Sequence, residues 1–168
     1  MIRFEKVSFE EFSRALVESC GIFLSTDERR AYYDAIKLPT RSTPGSAGYD
    51  IATPIPINIP TDGRYILVPT GIRFVTDRSD IVLLCAPRSG LGFGRGVRLR
   101  NTLGVIDSDF QFSTTTGHIM LKLGADEPCE LPAGRACVQG IFVPFLTVDG
   151  ETTEGMVQRT GGLGSTGR

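Results

Sequence analysis

The sequence lacks the features that mark several common classes of protein. No stretch approaches the run of about eighteen apolar residues that a membrane-spanning helix needs. The first residues include Glu5, Glu10 and Glu11 and contain no apolar core of a signal peptide. We therefore expect no membrane segment and a cytoplasmic location. No basic run is present, and 18 Lys and Arg against 19 Asp and Glu give a net charge of −1, so direct binding to nucleic acid is not expected.

Cysteine and histidine are not arranged as metal ligands or nucleophiles. The four cysteines, Cys20, Cys85, Cys129 and Cys137, show no CxxC spacing, and three of them lie in apolar stretches. We predict reduced core thiols rather than a zinc site or a disulfide framework. The single histidine, His118, begins a strand-like stretch, and no Ser or Cys stands in a nucleophile-elbow context. His118 is therefore predicted to be structural.

Helical patterns are confined to the first part of the chain. The 168 residues suffice for one domain with one core. Ser8 and Glu11 form a capping-box signature, and the apolar residues after them recur at helical spacing, which predicts a helix over about 9–19. A second helix is predicted over 27–36 with Thr26 as its N-cap. We interpret residues 1–37 as a helical N-terminal extension.

From Leu38 onward the pattern changes to short apolar runs interrupted by Gly, Pro, Asp and Asn. This pattern predicts an all-β sandwich or barrel, with strands near 65–68, 72–75, 81–86, 118–123 and 138–143. Residues 54–60 alternate strictly but contain prolines, which predicts an edge strand. The glycine-rich residues 159–168 include one apolar side chain and are expected to be mobile unless a ligand orders them.

Three segments carry groups suited to phosphate chemistry. Pro87–Gly92 follows an apolar strand and combines Arg88, a hydroxyl and glycines, as a phosphate-binding turn requires, although an ordinary turn has the same composition. Asn101–Phe110 ends an apolar run in two carboxylates, which can activate a water or simply form a turn. Arg159–Arg168 again combines arginine, hydroxyl side chains and glycines. These groups favour metal-assisted attack of water on a phosphate ester or anhydride, and Asp50 could hold a metal-bound water or pair with Arg88.

Five short motifs follow one another in a characteristic order. They are Ala47–Asp50, Pro87–Gly90, Gly104–Phe110, Val138–Gln139 and Arg159–Gly167. Over residues 38–168 the sequence thereby resembles the trimeric dUTP pyrophosphatases, or dUTPases. The resemblance implies a β jelly roll over 38–157 and a flexible C-terminal arm over 158–168. It also implies a homotrimer with active sites shared between subunits, of bacterial or phage origin.

The resemblance further implies a reaction and a set of site residues. The reaction is Mg²⁺-dependent hydrolysis of dUTP to dUMP and pyrophosphate, which limits uracil incorporation into DNA. Asp107 matches the residue that activates the water attacking the α-phosphate, and Asp50 matches the carboxylate that binds the metal indirectly, through water. The remaining matched positions would bind the substrate, and they are Arg88, Ser89, Gly90, Asn101, Gly104, Phe110, Gln139, Arg159, Gly162, Leu163, Gly164 and Ser165.

Individual substrate contacts follow from the same matches. The segment Arg88–Gly90 would grip the triphosphate together with Gln139, and Asn101 would read the uracil edge. Phe110 would pack against the deoxyribose and exclude a 2′-hydroxyl. Arg159 and Ser165 would bind the terminal phosphate once the arm closes.

Some positions depart from the family pattern. Phe110 replaces a Tyr, Leu163 replaces a Phe that stacks on uracil, and Ala136 replaces an Arg. The segment 111–116 resembles an insertion seen in some bacterial and phage members. We expect these changes to lower activity without abolishing it.

Two alternatives stay open. One is a dUTP-binding sensor or interaction module with little turnover, in which residues 1–37 or 111–116 contact a regulatory protein partner. The other is a dCTP deaminase, which is disfavoured because Asp107 and the complete arm are present.

Overall fold

The computed structural model describes residues 1–156, Arg159 and Gly161. The strands are β1 (Ile2–Lys6), β2 (Thr40–Arg41), β3 (Tyr49–Ala52), β4 (Ile57–Ile59), β5 (Ile66–Pro69), β6 (Ile72–Thr76), β7 (Ile81–Pro87), β8 (Arg98–Leu99), β9 (Gly104–Asp107), β10 (Met120–Gly124), β11 (Cys129–Leu131) and β12 (Ala136–Pro144). The α-helices are α1 (Phe9–Arg14), α2 (Thr26–Asp34) and α3 (Ser89–Arg95). A π-helical turn over Ala15–Ser19 continues α1, and a 3₁₀ turn spans Ser108–Phe112.

All the strand pairs are antiparallel. The largest sheet has the order β2-β3-β12-β7-β9, and a second sheet has the order β5-β10-β8. Two further pairs join β1 to β6 and β4 to β11. This mostly β architecture confirms the predicted fold class, whereas the jelly-roll connectivity stays a prediction.

Alternation along the strands places one face of each sheet in the core. In β7, Ile81, Leu83 and Cys85 are buried while the residues between them are half-buried. Burial of such side chains supplies most of the stabilising free energy. The opposite face of the five-stranded sheet carries both polar and apolar side chains.

Contrary to our expectation, the first 37 residues are not helical throughout. Residues Ile2–Lys6 form strand β1, which pairs with Ile72–Thr76 of β6 over its full length. The helices lie between β1 and β2 in sequence. Their apolar residues Phe12, Leu16 and Ile36 belong to the same buried cluster as the β core.

The helix predictions are correct in position, but α2 begins one residue earlier and ends two residues earlier than the predicted range of 27–36. Residues 9–19 are helical, with α1 passing into the π-helical turn, and the Ser8 hydroxyl accepts the N–H of Glu11. For α2 the N-cap is Ser25 rather than Thr26, because Ser25 and Glu28 form the complete capping box. Thr26 is therefore the first helical residue and not the N-cap that we had assigned.

Gly71 is the point at which the helical segment meets the β structure. Its carbonyl accepts the N–H of Val7 at 3.0 Å. A Cβ at this position would lie 2.3 Å from Cδ1 of Ile36, and the φ of +71° is unfavourable for other residues. Glycine is therefore required for Ile36 to pack here.

The predicted edge strand over 54–60 is shorter than expected. Only Ile57–Ile59 is a strand, and it pairs with β11 in a two-stranded sheet. The flanking prolines lack the N–H groups that would extend the ladder.

The four cysteines are free, and Cys85, Cys129 and Cys137 are buried. Burial raises the pKa of both Cys85 and Cys137 to about 12, so these thiols are unreactive. Within the described residues, no helix is long and apolar enough to cross a membrane.

Candidate active site

Three of the predicted site residues come together on the open face of the five-stranded sheet. Asp50 of β3 lies directly opposite Gln139 of β12, and Gln139 lies opposite Ala86 of β7. Opposed residues of an antiparallel sheet share a face. Arg88, two residues after Ala86, returns to that face and forms an ion pair with Asp50, with 3.1 Å between Nε and Oδ1.

The end of β7 fixes the position of Arg88. Its backbone N–H donates to the carbonyl of Cys137 at 3.2 Å, and Arg88 then serves as the N-cap residue of α3. Ser89 and Gly90 form the first turn of that helix and are exposed. The predicted phosphate-binding turn therefore stands at the edge of the sheet, open to solvent.

Gln139 depends on a close approach to Gly48. A Cβ on Gly48 would lie 2.6 Å from Oε1 of Gln139, which is closer than real Cβ contacts. The missing side chain leaves room for the Gln139 amide next to Asp50. A side chain at Gly48 would therefore force the Gln139 amide to shift.

Asp107 lies at the other end of the same sheet face. Strand β9 pairs with β7, so that Gly104 is opposite Cys85 and Asp107 is opposite Val82. Val82 precedes Arg88 by six positions, a separation of about 20 Å along an extended strand. Within one chain, Asp107 and Arg88 therefore cannot contact the same phosphate chain.

Arg159 lies beside Asp107 in this chain. Its Nη1 is 2.9 Å from Oδ2 of Asp107 and 3.4 Å from Oδ1 of Asp109. The guanidinium also lies 5.1 Å from the centroid of the Phe110 ring. Arg159, the first residue of the fifth motif, is thus brought to the end of the third motif, away from Arg88.

Phe110 is buried more deeply than its predicted role suggested. Its side chain is 4% exposed and belongs to the hydrophobic core, and Arg159 lies against the ring. Little of the ring is therefore open to a sugar in this structure. Its packing against deoxyribose stays a prediction.

The remaining predicted residues are Asn101, which is exposed, Gly104, which is buried, and four residues that the structure does not describe. Asn101 is exposed in the turn between β8 and β9, where Thr102 has a φ of +64°. Gly104 is buried at the start of β9, where a Cβ would lie 3.0 Å from that of Cys85. Gly162, Leu163, Gly164 and Ser165, and with them the predicted mobility of the arm, lie outside the described residues.

His118 has the structural surroundings that we predicted, with partners that the sequence did not reveal. It is fully buried, its Nε2 accepts the N–H of Gly71 at 2.9 Å, and its Nδ1 lies 3.1 Å from Oε1 of Glu11. These contacts correspond to the Nδ1–H tautomer, with Glu11 as acceptor. Because both ring nitrogens are engaged, His118 has no free nitrogen for proton transfer.

Sequence reasoning missed Ser42 as a partner of Asp50. The Ser42 hydroxyl donates to Oδ2 of Asp50 at 3.1 Å. The available signal was strand alternation: Thr40 is opposite Asp50, so Ser42 follows on the same face. The pairing of β2 with β3 was needed to use that signal.

No protein-only metal cage is present in the part of the chain that the structure describes. No group of three or more His, Cys, Asp or Glu side chains is placed to hold an ion there. Mg²⁺ commonly retains several waters and uses one or two carboxylates plus substrate phosphates. Asp50 matches that chemistry as a single carboxylate beside the Arg88 guanidinium.

Comparison of the sequence with known proteins identifies relatives of one family, the dUTPases. The sequence model of the dUTPase family matches residues 34–167 of this chain. The deoxyuridine 5'-triphosphate nucleotidohydrolase of Lactococcus lactis subsp. lactis is 37% identical over 135 residues, which cover 79% of this chain and 89% of that protein. The enzyme of the same name from Methylococcus capsulatus is 34% identical over 139 residues, which cover 79% and 89% of the two chains.

Solved structures extend the likeness to the fold. The crystal structure of a dUTPase from Streptococcus mutans has a TM-score of 0.62 and 36% sequence identity, covering 76% of this chain and 98% of that chain. A dUTPase from phage phi11 of S. aureus has a TM-score of 0.61 and 14% identity, covering 92% and 96%. At that identity the second likeness concerns the fold alone.

Proposed function

This chain belongs to the dUTPase family, and from that premise we propose that it hydrolyses dUTP to dUMP and pyrophosphate with Mg²⁺ as cofactor. The observation that carries the proposal is the cluster of Asp50, Arg88 and Gln139 on one sheet face. These residues come from three separate strands or strand ends. Their convergence provides a cation, a carboxylate and an amide at one place, as a triphosphate site requires.

Asp107 acts as the general base. Its side chain is 53% exposed at the end of β9, where a water can reach the carboxylate. It accepts a proton from that water as the oxygen attacks the α-phosphorus, and the bond to the bridging oxygen of pyrophosphate breaks. Arg159 contacts Asp107 at 2.9 Å in this structure, so its proposed binding of the terminal phosphate requires the guanidinium to turn toward the phosphates.

Arg88 binds the phosphate chain, and Asp50 holds the Arg88 guanidinium in position. The ion pair engages Nε of Arg88, which leaves the Nη groups directed to other acceptors. Ser89, Gly90 and Gln139 add neutral donors around the same phosphates. Arg159 and Ser165 complete the binding at the terminal phosphate.

Asp50 would hold Mg²⁺ indirectly, through a metal-bound water, together with the substrate phosphates. The ion would supply neutralisation of charge on the triphosphate and restrict the phosphate chain to one conformation. Each oxygen of Asp50 has one contact among the described residues, to Arg88 or to Ser42. A carboxylate has about four lone-pair positions, so Asp50 retains acceptors for a metal-bound water.

Base and sugar selection involve residues at both ends of β9, with Asn101 and Gly104 at its start and Phe110 after its end. Asn101 reads the uracil edge with its donor and acceptor, and Phe110 excludes a 2′-hydroxyl by contact with the sugar. Gly104, Gly162 and Gly164 allow close approach of the backbone. Leu163 covers the base with weaker stacking than an aromatic ring would give.

The active site is shared between subunits of a homotrimer. The proposal rests on the distance of about 20 Å that separates Arg88 from Asp107 on one chain. Between them the same sheet face carries apolar side chains, and these are Val82, Leu84, Val105, Ile141 and Val143. Val105 is 56% exposed, so a neighbouring subunit that covers this face would bury apolar surface while bringing its own Asp107 to Arg88.

The reaction is tested by measuring pyrophosphate release with Mg²⁺ from dUTP, dCTP, dTTP and UTP. We expect cleavage of dUTP with strong preference over the other three nucleotides. Ammonia release from dCTP would instead identify a deaminase. Binding of dUTP without turnover would identify a sensor and overturn the proposed hydrolysis.

The shared site is tested by mixing two variants. Chains with Arg88→Gln and chains with Asp107→Asn are co-expressed, so that some sites receive both wild-type residues from different subunits. Random assembly should restore about a quarter of the wild-type sites, whereas each variant alone stays nearly inactive. No recovery in co-purified mixed oligomers would contradict a site shared in this way.

A further inference from the structure

We propose that Ser42 is a positioning residue for Asp50, which keeps the Asp50–Arg88 pair single-pronged so that Arg88 stays available to phosphate. This inference rests on the proposed function. Ser42 lies outside the five motifs, in the loop between β2 and β3. Its hydroxyl donates to Oδ2 of Asp50 at 3.1 Å, while Nε of Arg88 contacts Oδ1 at the same distance.

The two oxygens of Asp50 therefore have different partners. Among the residues that the structure describes, Ser42 supplies the hydrogen bond to this carboxylate, and Arg88 contacts it as an ion pair. A hydrogen bond is directional, so it fixes the rotation of the carboxylate about its last torsion. An ion pair alone fixes that rotation less tightly.

The loop holds the Ser42 hydroxyl in place before any ligand binds. Pairing of Thr40 with Asp50 sets the register of β2 on β3. The Arg41 guanidinium donates to the carbonyls of Pro44 at 2.9 Å and Ser46 at 3.1 Å, which closes the turn that follows. The Ser42 side chain thus starts from a fixed backbone beside Asp50.

Removal of the hydroxyl changes what Arg88 can do. Without a donor on Oδ2, the carboxylate is free to turn both oxygens to Arg88. Such a two-pronged pair is the strong arrangement for arginine and a carboxylate. It would occupy guanidinium N–H groups that the triphosphate needs, and it would use the lone pairs that Asp50 offers to a metal-bound water.

The test compares Ser42→Ala and Ser42→Thr with the control Thr43→Ala. Thr43 lies next to Ser42 and its hydroxyl contacts the Ser46 hydroxyl at 2.8 Å, so the control removes a neighbouring hydroxyl without touching Asp50. We expect Ser42→Ala to raise both KM for dUTP and the half-saturating Mg²⁺ concentration by about two- to tenfold, the equivalent of one net hydrogen bond. At saturating substrate and Mg²⁺, kcat should stay within about twofold, and Ser42→Thr should restore the wild-type values.

A binding measurement gives the same information without turnover. Calorimetry with the α,β-imido analogue of dUTP, with and without Mg²⁺, should show weaker binding by Ser42→Ala mainly in the presence of the metal. In an Asp50→Asn background the same substitution should have no further effect, since the path through Asp50 is gone.

The possible failures are distinct. If the wild-type protein does not cleave dUTP, the proposed function fails, and with it the inference on Ser42. If the wild type is active but Ser42→Ala matches the wild type, or Thr43→Ala shows the same loss, the role of Ser42 is overturned alone. Persistence of the Ser42→Ala effect in the Asp50→Asn background would also overturn it.

Discussion

Two regions of the molecule place a carboxylate against an arginine, and they do so in different ways. On the open sheet face, Asp50 is 27% exposed and has one ion pair and one hydrogen bond. At the buried joint, which we define as Glu11, Arg14, Gly71 and His118, Glu11 is 9% exposed. There both oxygens of Glu11 accept from Arg14, and one of them also contacts His118.

The difference shows how packing separates a functional carboxylate from a structural one. Every group at the buried joint has a protein partner, and Nε2 of His118 accepts from Gly71. Burial raises the pKa of Glu11, but the hydrogen bonds from His118 and Arg14 outweigh that effect and leave the pKa below its ordinary value of 4.5. Glu11 therefore stays ionised and holds the helical segment on the β structure, while Asp50 keeps acceptors for a ligand.

The comparison predicts that changes on the open face alter activity and leave stability nearly unchanged. The largest effect is expected for Asp107→Asn, which keeps the shape of the side chain but removes the base. We expect kcat for dUTP to fall by about 10²- to 10⁴-fold, measured by pyrophosphate release, with little change in Tm. Asp109→Asn is the control, since Asp109 is similarly exposed; an equal loss in both variants would contradict the assignment to Asp107.

Arg88→Gln should have the next largest effect on the open face. Loss of the charged hydrogen bonds to phosphate should raise KM for dUTP by roughly 10- to 100-fold. The matched control is Arg95→Gln, because Arg95 lies in α3 and forms an exposed ion pair with Glu127 at 3.2 Å. KM for dUTP is measured by steady-state kinetics for both variants. A similar KM in the two would contradict the assignment of Arg88 to the substrate site.

At the buried joint the reverse outcome is expected. His118→Leu leaves the Gly71 N–H without its acceptor and removes one of the two side-chain partners of the Glu11 carboxylate. This loss should lower the free energy of unfolding by about 1–3 kcal/mol. Urea denaturation measures this loss. The kcat per folded molecule should stay within about twofold, and a large loss of kcat in folded protein would show that the joint takes part in the reaction.

The smallest expected effect is on the pH dependence of the stability that the buried joint contributes. Because the folded-state pKa of Glu11 lies below 4.5, its contribution to stability is complete above the unfolded pKa and is lost as pH falls through the folded pKa. The difference in unfolding free energy between wild type and Glu11→Gln should therefore be largest at neutral pH and narrow below about pH 4.5.

Unfolding at a series of pH values from 7 to 3 tests this expectation. Glu18→Gln is the control, because Glu18 pairs with Arg14 at an exposed position, and exposed pairs contribute about 0–1 kcal/mol. If the difference in unfolding free energy between wild type and Glu11→Gln does not change with pH, the proposed role of the Glu11 charge is contradicted.

Much of the β structure was predictable because alternation and turn residues are local signals. The apolar runs near 72–75 and 81–86 coincide with β6 and β7. Strand β1 was missed although Ile2–Lys6 is a continuous strand, since its pairing with β6 joins segments that are remote in sequence. The cap of α2 was misplaced by one residue, because Ser25 and Thr26 are both acceptable N-cap residues and only the capping box decides between them.

The sequence by itself determined which groups are available. It specified the ordered motifs, the family, the mostly β class and the choice of Asp107, Asp50 and Arg88 as candidates. These depend on side-chain chemistry at fixed spacing, which does not require the fold.

The tertiary structure alone decided which of these groups meet. Strand register places Asp50, Gln139 and Arg88 on one face and puts Asp107 at its far end. The same pairing brings Ser42 to Asp50, and packing of the helices brings Glu11 to His118. Register and packing result from many long-range contacts at once, so no local stretch of sequence contains that information.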